Sequence, residues 1–366
     1  MSLPVSHLLS RIEDDANEYL AKESEATLIV GLSVEGERHL RSFRSPDASK
    51  IALPKVDSTY EIGSFSKVFS TSVLAVLEGQ GVISLDDTIR KYLPSGVKLP
   101  PEIARITVRQ LATHTSGFDR IGKVFAKMVF EDTRTCYLRY RKEDLYHELE
   151  IAELAYPSGQ GWAYSIIGMG LLGHIMELAT GSSYEALLKK TICEPLGLKD
   201  TTYTLSDDQI SRMIRAIDSD GLPTANWFHD VMMPQGGLRS TMQDMLTFAE
   251  ANLAASFRDD GSTLFKALRR TREPHFDWPR GYQLPERELG EFVQGLAWWR
   301  IPVPTGQAWW HNGATMYYQS AVGVSESAPV ALVAMTSYYR NLLDIQTFPA
   351  MHREWLKQAC RQPRFP

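Results

Sequence analysis

Cysteine is scarce in this chain: three residues in 366, at positions 136, 193 and 360. An odd and widely spaced set excludes a disulfide framework and offers no metal-ligand spacing, so Cys136, Cys193 and Cys360 read as reduced thiols of a cytosolic protein. Long hydrophobic runs are missing too, and with them any segment of about 20 apolar residues that would span a bilayer. Positive charge is not in excess. The formal net charge is −5, which argues against a basic surface for nucleic acid or anionic membrane. The one local basic cluster, Arg134, Arg139, Arg141 and Lys142, has Glu143 and Asp144 beside it and reads as a solvated face. None of the nine histidines falls into a His-Glu-x-x-His or similar spacing, so no metal and no cofactor is expected. A signal peptide is not seen either. Residues 5–22 place Val5, Leu8, Leu9, Ile12, Ala16 and Leu20 among acidic positions, as an amphipathic helix does, and a cytoplasmic location is expected.

The remaining composition, 43% hydrophobic and 23% charged, is that of a soluble globular protein large enough to bury a substantial core. After the first helix, Ala26 to Val34 and Arg38 to Phe43 are β-rich runs joined by Glu35-Gly36-Glu37, a hairpin signal. Residues 84–275 read as mainly helical. Ser84 with Asp87, Thr107 with Gln110 and Thr241 with Asp244 have capping-box spacing or its acidic variant. Pro157-Ser-Gly-Gln-Gly161, Glu194-Pro-Leu-Gly197 and Pro234-Gln-Gly-Gly237 punctuate this stretch. Arg270 to Gly290 reads as a long surface loop. It and residues 118–150 are expected to shape specificity. β-rich runs return at Phe292 to Ile301, Gln307 to Trp310, Tyr317 to Val324 and Val330 to Ser337, before an amphipathic helix over Ile345 to Cys360. The order predicts an α+β fold: one antiparallel sheet built from both chain ends and flanked by helices, with a largely helical inserted lobe. The lobes are expected at about 1–83 plus 291–366 and at 84–290, within a single catalytic domain, with a site in the cleft between them.

Ser64 and Lys67 are the sharpest chemical signal. Three residues of spacing place a hydroxyl and an amine one turn apart on one helix face. Serine is a poor nucleophile until a base takes its proton. The apolar run from Val68 to Leu77 predicts a buried helix, and burial lowers a lysine pKa from its ordinary value of about 10.4. At the helix start, backbone N–H groups without helical partners offer a place for an oxyanion. The spacing alone is weak. It recurs at Ser95-Gly-Val-Lys98, between Pro94 and Pro100, where a loop is expected.

Two further segments complete an acyl-transfer constellation. Tyr164-Ser165 lies between the Pro157-Gly161 turn and an apolar helix, and His311-Asn312-Gly313 follows Trp309-Trp310 at a strand end. Taken singly, Tyr164 and His311 are as readily packed, hydrogen-bonded rings. Gly168-Met-Gly-Leu-Leu-Gly173 matches a dinucleotide fingerprint. No strand precedes it, however, and the glycines read as close helix packing. His114 reads as a structural residue of the turn before Gly117. Trp298, Trp299, Trp309, Trp310, Tyr317 and Tyr318 are expected to be core, with half of them free to face the cleft for a hydrophobic acyl or aromatic substrate.

In their order, Ile62-Gly-Ser-Phe-Ser-Lys67, Leu111-Ala-Thr-His-Thr-Ser-Gly117, Tyr164-Ser-Ile-Ile-Gly-Met-Gly-Leu-Leu-Gly173, Glu194-Pro-Leu-Gly-Leu-Lys-Asp-Thr201, Gly236-Gly-Leu-Arg-Ser-Thr241 and His311-Asn-Gly313 resemble the serine β-lactamase and penicillin-binding-protein superfamily. The nearest branch is the class-C-like one that also holds family VIII carboxylesterases, D-aminopeptidases and some acyltransferases. The resemblance covers roughly residues 25 to 340. It implies acylation at Ser64, a partner amine at Lys67 and a general base or acid at Tyr164. It also implies oxyanion donors at the N–H groups of Ser64 and Ala314, and a substrate edge at His311, Asn312 and Gly313. Trp310 and Ile166 join this set as substrate-contacting candidates. Ile166 departs from the family's Tyr-x-Asn, whose amide usually contacts substrate and lysine. Isoleucine has no polar atom for either task. Histidine at 311, where the family often has lysine, removes a fixed charge. Both changes point to an esterase-like hydrolase of small esters or amides. The alternatives are acyl transfer, D-amino-acid peptidase activity, or a non-catalytic ligand- or partner-binding member. The oligomeric state is not legible.

Overall fold

A computed structural model describes residues 5–22, 26–48, 51–133, 135–215, 230–277, 293–337 and 346–361. Ten strands are present among them: β1 (Thr27–Val34), β2 (Glu37–Arg44), β3 (Thr59–Glu61), β4 (Arg239–Thr241), β5 (Phe276–Asp277), β6 (Val293–Gln294), β7 (Trp299–Val303), β8 (Gly306–Ala314), β9 (Tyr318–Ser325) and β10 (Val330–Ser337). Eight form one sheet in the order β2-β1-β10-β9-β8-β7-β6-β5, and every paired neighbour is antiparallel. Both chain ends therefore build the sheet, as expected, and β3–β4 is a separate short ladder.

Alternation decides the two faces. In β10, Ala331, Val333 and Met335 join one core, and Val330, Leu332 and Ala334 join the other. The first core lies under the helix Met242–Phe257 and extends into the helical lobe, where Ser66–Gly79 and Ile166–Thr180 run. The second is closed by the terminal helices Val5–Leu20 and Thr347–Ala359. Each fully buried large apolar side chain in these cores contributes about 1.5–3 kcal/mol of transfer free energy. Among the described residues no helix is long and apolar enough to cross a membrane.

Several local expectations are corrected. The run from Phe292 to Ile301 is not one strand: β6 and β7 are separated by a turn in which Ala297 has φ 61°. Ser84 and Asp87 hydrogen-bond at 3.1 Å but cap a turn ahead of the short 3-10 helix Ile89–Lys91, not an α-helix. Thr107 and Gln110 do form the reciprocal box, and Thr241 accepts from the Asp244 amide. Of the expected Arg270–Gly290 loop, residues 278–290 lie outside the described residues. The part before them holds the end of the helix Thr263–Arg270 and β5. Arg134 is also outside. Arg139 and Arg141 pair with Glu131 and Asp230 on the surface, as a solvated face does. Ser95-Gly-Val-Lys98 is a turn, with Lys98 exposed and paired to Glu150.

Candidate active site

Ser64 sits in the single 3-10 turn Gly63–Phe65 that leads into the helix Ser66–Gly79. Three elements hold this turn. The β3–β4 ladder runs into it, continued by Ile62 N–H donating to Leu238 O at 3.0 Å and clamped by the buried Arg239–Glu61 pair. The Phe65 ring is locked edge-on against Phe69, Phe248, Trp298 and His311. The third support is β8, through Ser320 of its neighbour β9, which donates to Ile62 O at 2.8 Å. Gly63 has φ 52°, and a Cβ there would lie 2.6 Å from the Ala314 nitrogen. A Cβ on Gly313 would lie 1.9 Å from Ile62 O. Glycine at both positions lets strand edge and turn touch backbone to backbone.

The direction of the Ala314 N–H follows from the ladder. Thr315 N–H donates to Tyr318 O at 2.9 Å, so the next pair, Ala314 with Gln319, is a non-hydrogen-bonded one whose amides point away from β9. On that side β7 begins only at Trp299, opposite Trp310. Beyond Trp310, β8 therefore has no strand partner there among the described residues. The Ala314 N–H faces the turn that carries Ser64, whose own N–H precedes the helix.

Lys67 is completely buried. Its Nζ lies 3.0 Å from Ser64 Oγ, 2.5 Å from Gln235 O and 3.4 Å from Gln235 Oε1. It also stands over the Tyr164 ring, 4.8 Å from the centroid. Burial pushes the ammonium pKa well below its ordinary value, and the Arg120 charge adds to this. Arg120 is exposed, with its guanidinium 5.2 Å from the Tyr164 ring centroid.

Tyr164 is held by His114. His114 has φ 58°. Its carbonyl accepts from Ala163 N–H at 2.9 Å, and its Nδ1 accepts from Ser165 N–H at 3.2 Å. An amide can only donate, so Nδ1 is the bare nitrogen. Burial holds His114 well below the usual imidazole range, and positive charge on Lys67, His311 or Arg120 pushes it the same way whenever it is present. Its ring lies 4.5 Å from that of Tyr164. The structural reading of His114 thus holds, with the added detail that what it supports is the tyrosine.

His311 is buried and stacked on Trp299 at 4.4 Å. Its Nδ1 lies 2.6 Å from Asn312 O, and a carbonyl only accepts, so Nδ1 carries the proton. Burial pushes its pKa down to about 3, a positive charge on Lys67 acts in the same direction whenever it is present, and the Asn312 contact opposes. His311 is therefore a neutral ring with a bare Nε2 that finds no partner among the described residues.

The other expected contacts divide. Ile166 starts the helix Ile166–Thr180 as a buried apolar residue, its N–H donating to Arg120 O at 3.0 Å. Asn312 is half-buried at the open edge of β8. Trp310 does not line the site. Alternation along β8 turns it to the face under the C-terminal helix, where its N–H donates to His352 Nδ1 at 3.0 Å. The aromatic side chains that do reach the site are Trp299, through His311 and Tyr164, and Trp298, through Phe65.

Gln235, Arg120 and the supporting role of His114 are not apparent in the sequence. Gln235 stands in the stretch noted only for its glycines and proline. It is buried in the turn Met233–Gly236, which the hydroxyls of Ser70 (to Pro234 O, 2.7 Å) and Ser66 (from Leu238 N–H, 3.1 Å) tie to the lysine helix. From the other side, a Cβ on Gly170 would meet Met232 Sδ at 2.4 Å, and one on Gly173 would meet Pro234 Cγ at 1.9 Å. Two of the three glycines in Gly168-Met-Gly-Leu-Leu-Gly173, Gly170 and Gly173, are thus close packing, and they let this turn reach Lys67.

The profile of the family described as Beta-lactamase matches residues 12–344. The chain is 31% identical over 250 residues to the D-alanyl-D-alanine-carboxypeptidase/endopeptidase AmpH of Escherichia coli (strain K12), covering 68% of this chain and 63% of that relative. It is 25% identical over 298 residues to a beta-lactamase of Psychrobacter immobilis, covering 81% and 68%. The fold is that of a solved class C beta-lactamase, with TM-score 0.80 at 18% identity over 99% of this chain and 98% of that one.

Proposed function

The chain belongs to the beta-lactamase family, and we propose that it is a serine hydrolase that cleaves small esters through an acyl-enzyme on Ser64. The observation that carries this reading is the completely buried Lys67 amine 3.0 Å from the Ser64 hydroxyl. A neutral Lys67 accepts the Ser64 proton as Oγ attacks the carbonyl carbon. The developing oxyanion is received by the N–H groups of Ser64 and Ala314. The proton then passes to the leaving oxygen as the C–O bond breaks, with Tyr164, whose ring covers the amine, completing the path. Water attacks the acyl-enzyme by the reverse relay, so ester and water give acid and alcohol.

The preference for esters rests on two features of the substrate edge. His311 is neutral and completely buried, so it supplies no fixed charge for a substrate carboxylate. Ile166 supplies no amide for a substrate amide. One observation favours a second reading, hydrolysis of small peptides or other amides: an amide is present after all, from Gln235 beside Lys67. The two are separated by stopped-flow turnover of p-nitrophenyl esters against a chromogenic cephalosporin and a D-Ala-D-Ala peptide. A burst with the ester alone supports the first reading. A burst with the peptide or cephalosporin at comparable rate sinks it. Absence of any covalent adduct at Ser64 from a fluorophosphonate, in folded protein, removes the enzyme reading altogether.

Arg120 provides a check with a definite sign. Its charge lowers the Lys67 pKa. In Arg120→Gln that pKa rises, so a higher pH is needed to free the amine. The acid limb of kcat/KM for the ester moves to higher pH, and activity below the limb falls. Because Arg120 is exposed, added salt moves the parent enzyme in the same direction by a smaller amount. A limb that stays in place in pH–rate profiles at low salt would show that Lys67 is not the titrating base.

A further inference from the structure

We infer that Gln235 is the positioning residue that aims the lone pair of neutral Lys67 at Ser64, doing from the Met233–Gly236 turn what position 166 does not do here; this rests on the acyl-enzyme reading above. A neutral primary amine has two N–H donors and one lone pair. Gln235 offers two acceptors to Nζ, its backbone carbonyl at 2.5 Å and its side-chain Oε1 at 3.4 Å. With both N–H groups directed at Gln235, the remaining direction is the lone pair, and among the described residues the other hydrogen-bonding neighbour of Nζ is Ser64 Oγ at 3.0 Å. The amine is thus presented as an acceptor to the serine hydroxyl before substrate arrives.

The amide itself is oriented. The Tyr137 hydroxyl hydrogen-bonds the Gln235 side chain. In the recorded orientation Oε1 faces Nζ, which leaves the Nε2 end to donate to Tyr137. The turn cannot drift, because Ser66 and Ser70 hold it on the lysine helix and Gly170 and Gly173 hold it against the neighbouring helix. Ile166, by contrast, is packed in the apolar core and has nothing to offer the amine. Two residues 69 positions apart in the sequence are read here as alternative sources of one amide.

The test uses the second-order rate of Ser64 phosphonylation by a fluorophosphonate, followed by mass spectrometry across pH, with thermal unfolding to confirm that each variant folds. Gln235→Ala and Gln235→Met keep the backbone carbonyl and remove the amide. Each is expected to slow labelling about 10- to 100-fold at the plateau, as expected for a misaimed catalytic group. Oε1 binds the ammonium more strongly than the amine. Its loss therefore lowers the Lys67 pKa further, and the acid limb moves to lower pH even as the plateau falls. Gln235→Glu places a carboxylate at the same point and moves the limb to higher pH. Adding Ile166→Asn to Gln235→Ala is expected to recover at least part of the plateau, because it returns an amide from the other side. A merely structural role predicts a loss with no limb shift and no recovery. Unchanged labelling in Gln235→Met, or limbs that shift the same way in the Met and Glu variants, overturns the inference. Failure of the parent protein to label at Ser64 overturns the acyl-enzyme reading instead, so the two failures are distinct.

Discussion

Lys67→Met is expected to slow acylation of Ser64 by about 10³- to 10⁴-fold, the upper part of what a positioned general base contributes. Methionine matches the volume of the buried stem and removes only the amine. Lys67→Arg is the informative companion. Arginine keeps a positive charge at the site but stays protonated and has no lone pair to offer. If Lys67 served by charge alone, the arginine variant would retain activity; as a base, it is lost in both. Fluorophosphonate labelling and ester burst kinetics read this directly. Retention of more than about a tenth of the parent rate in either variant would remove Lys67 from the base role.

Stability gives the same residue a second signature. The folded-state pKa of Lys67 lies below its unfolded value because burial disfavours the ammonium. At pH values between the two, the unfolded chain binds a proton that the native chain does not, so this group's contribution to stability rises with pH. It levels off only above the unfolded value of about 10.4. The parent should therefore gain on Lys67→Met as pH rises from 7 toward 10, visible as a closing or reversing difference in Tm. A gap that does not change with pH would mean that the buried amine is already protonated in the native state.

The legible parts of this molecule were those written locally. Ser64 and Lys67 stand three residues apart, so helix geometry alone brings hydroxyl and amine together. The hairpin β1–β2 and the strands β9 and β10 follow from β-rich runs bounded by turns. Sheet order is a different matter. β1 pairs with β10, which lies some 300 residues away, and nothing short-range specifies that pairing. Tyr164 and His311 could be joined to Ser64 only through the order of the motifs. Trp310 shows what alternation settles and what it leaves open. It assigns Trp309 and Trp310 to opposite faces but does not say which face the terminal helices cover. Ala297 breaks a continuous β-rich run with a positive φ that its residue type does not announce. Gln235 was the hardest of these. It reaches Lys67 across 168 positions, through a turn that depends on two glycines of another helix.

Gly313→Ala is expected to be as damaging as loss of an oxyanion donor, about 10²- to 10³-fold in acylation rate, although residue 313 contributes no side chain to the chemistry. The added Cβ would sit 1.9 Å from Ile62 O and 2.8 Å from Phe65 N. Both are backbone atoms, and although the third close atom, Ser320 Oγ at 2.8 Å, is a side-chain end, its moving would not relieve them. Ile62 O is already held by Ser320 Oγ and by Phe65 N–H. The strain is therefore relieved by opening β8 from the Gly63–Phe65 turn. That movement separates the two amides that must converge on one oxygen. Gly63→Ala strains the same seam from the other side, through φ 52° and a 2.6 Å approach to the Ala314 nitrogen. The defect should appear in the acylation rate more than in the pH profile, since Lys67 and its acceptors lie on the far side of Ser64. An acid limb in its parent position with a plateau lowered 10²-fold or more fits this account. A plateau within threefold of the parent in folded Gly313→Ala would mean that the contact between strand edge and turn does not set the oxyanion geometry.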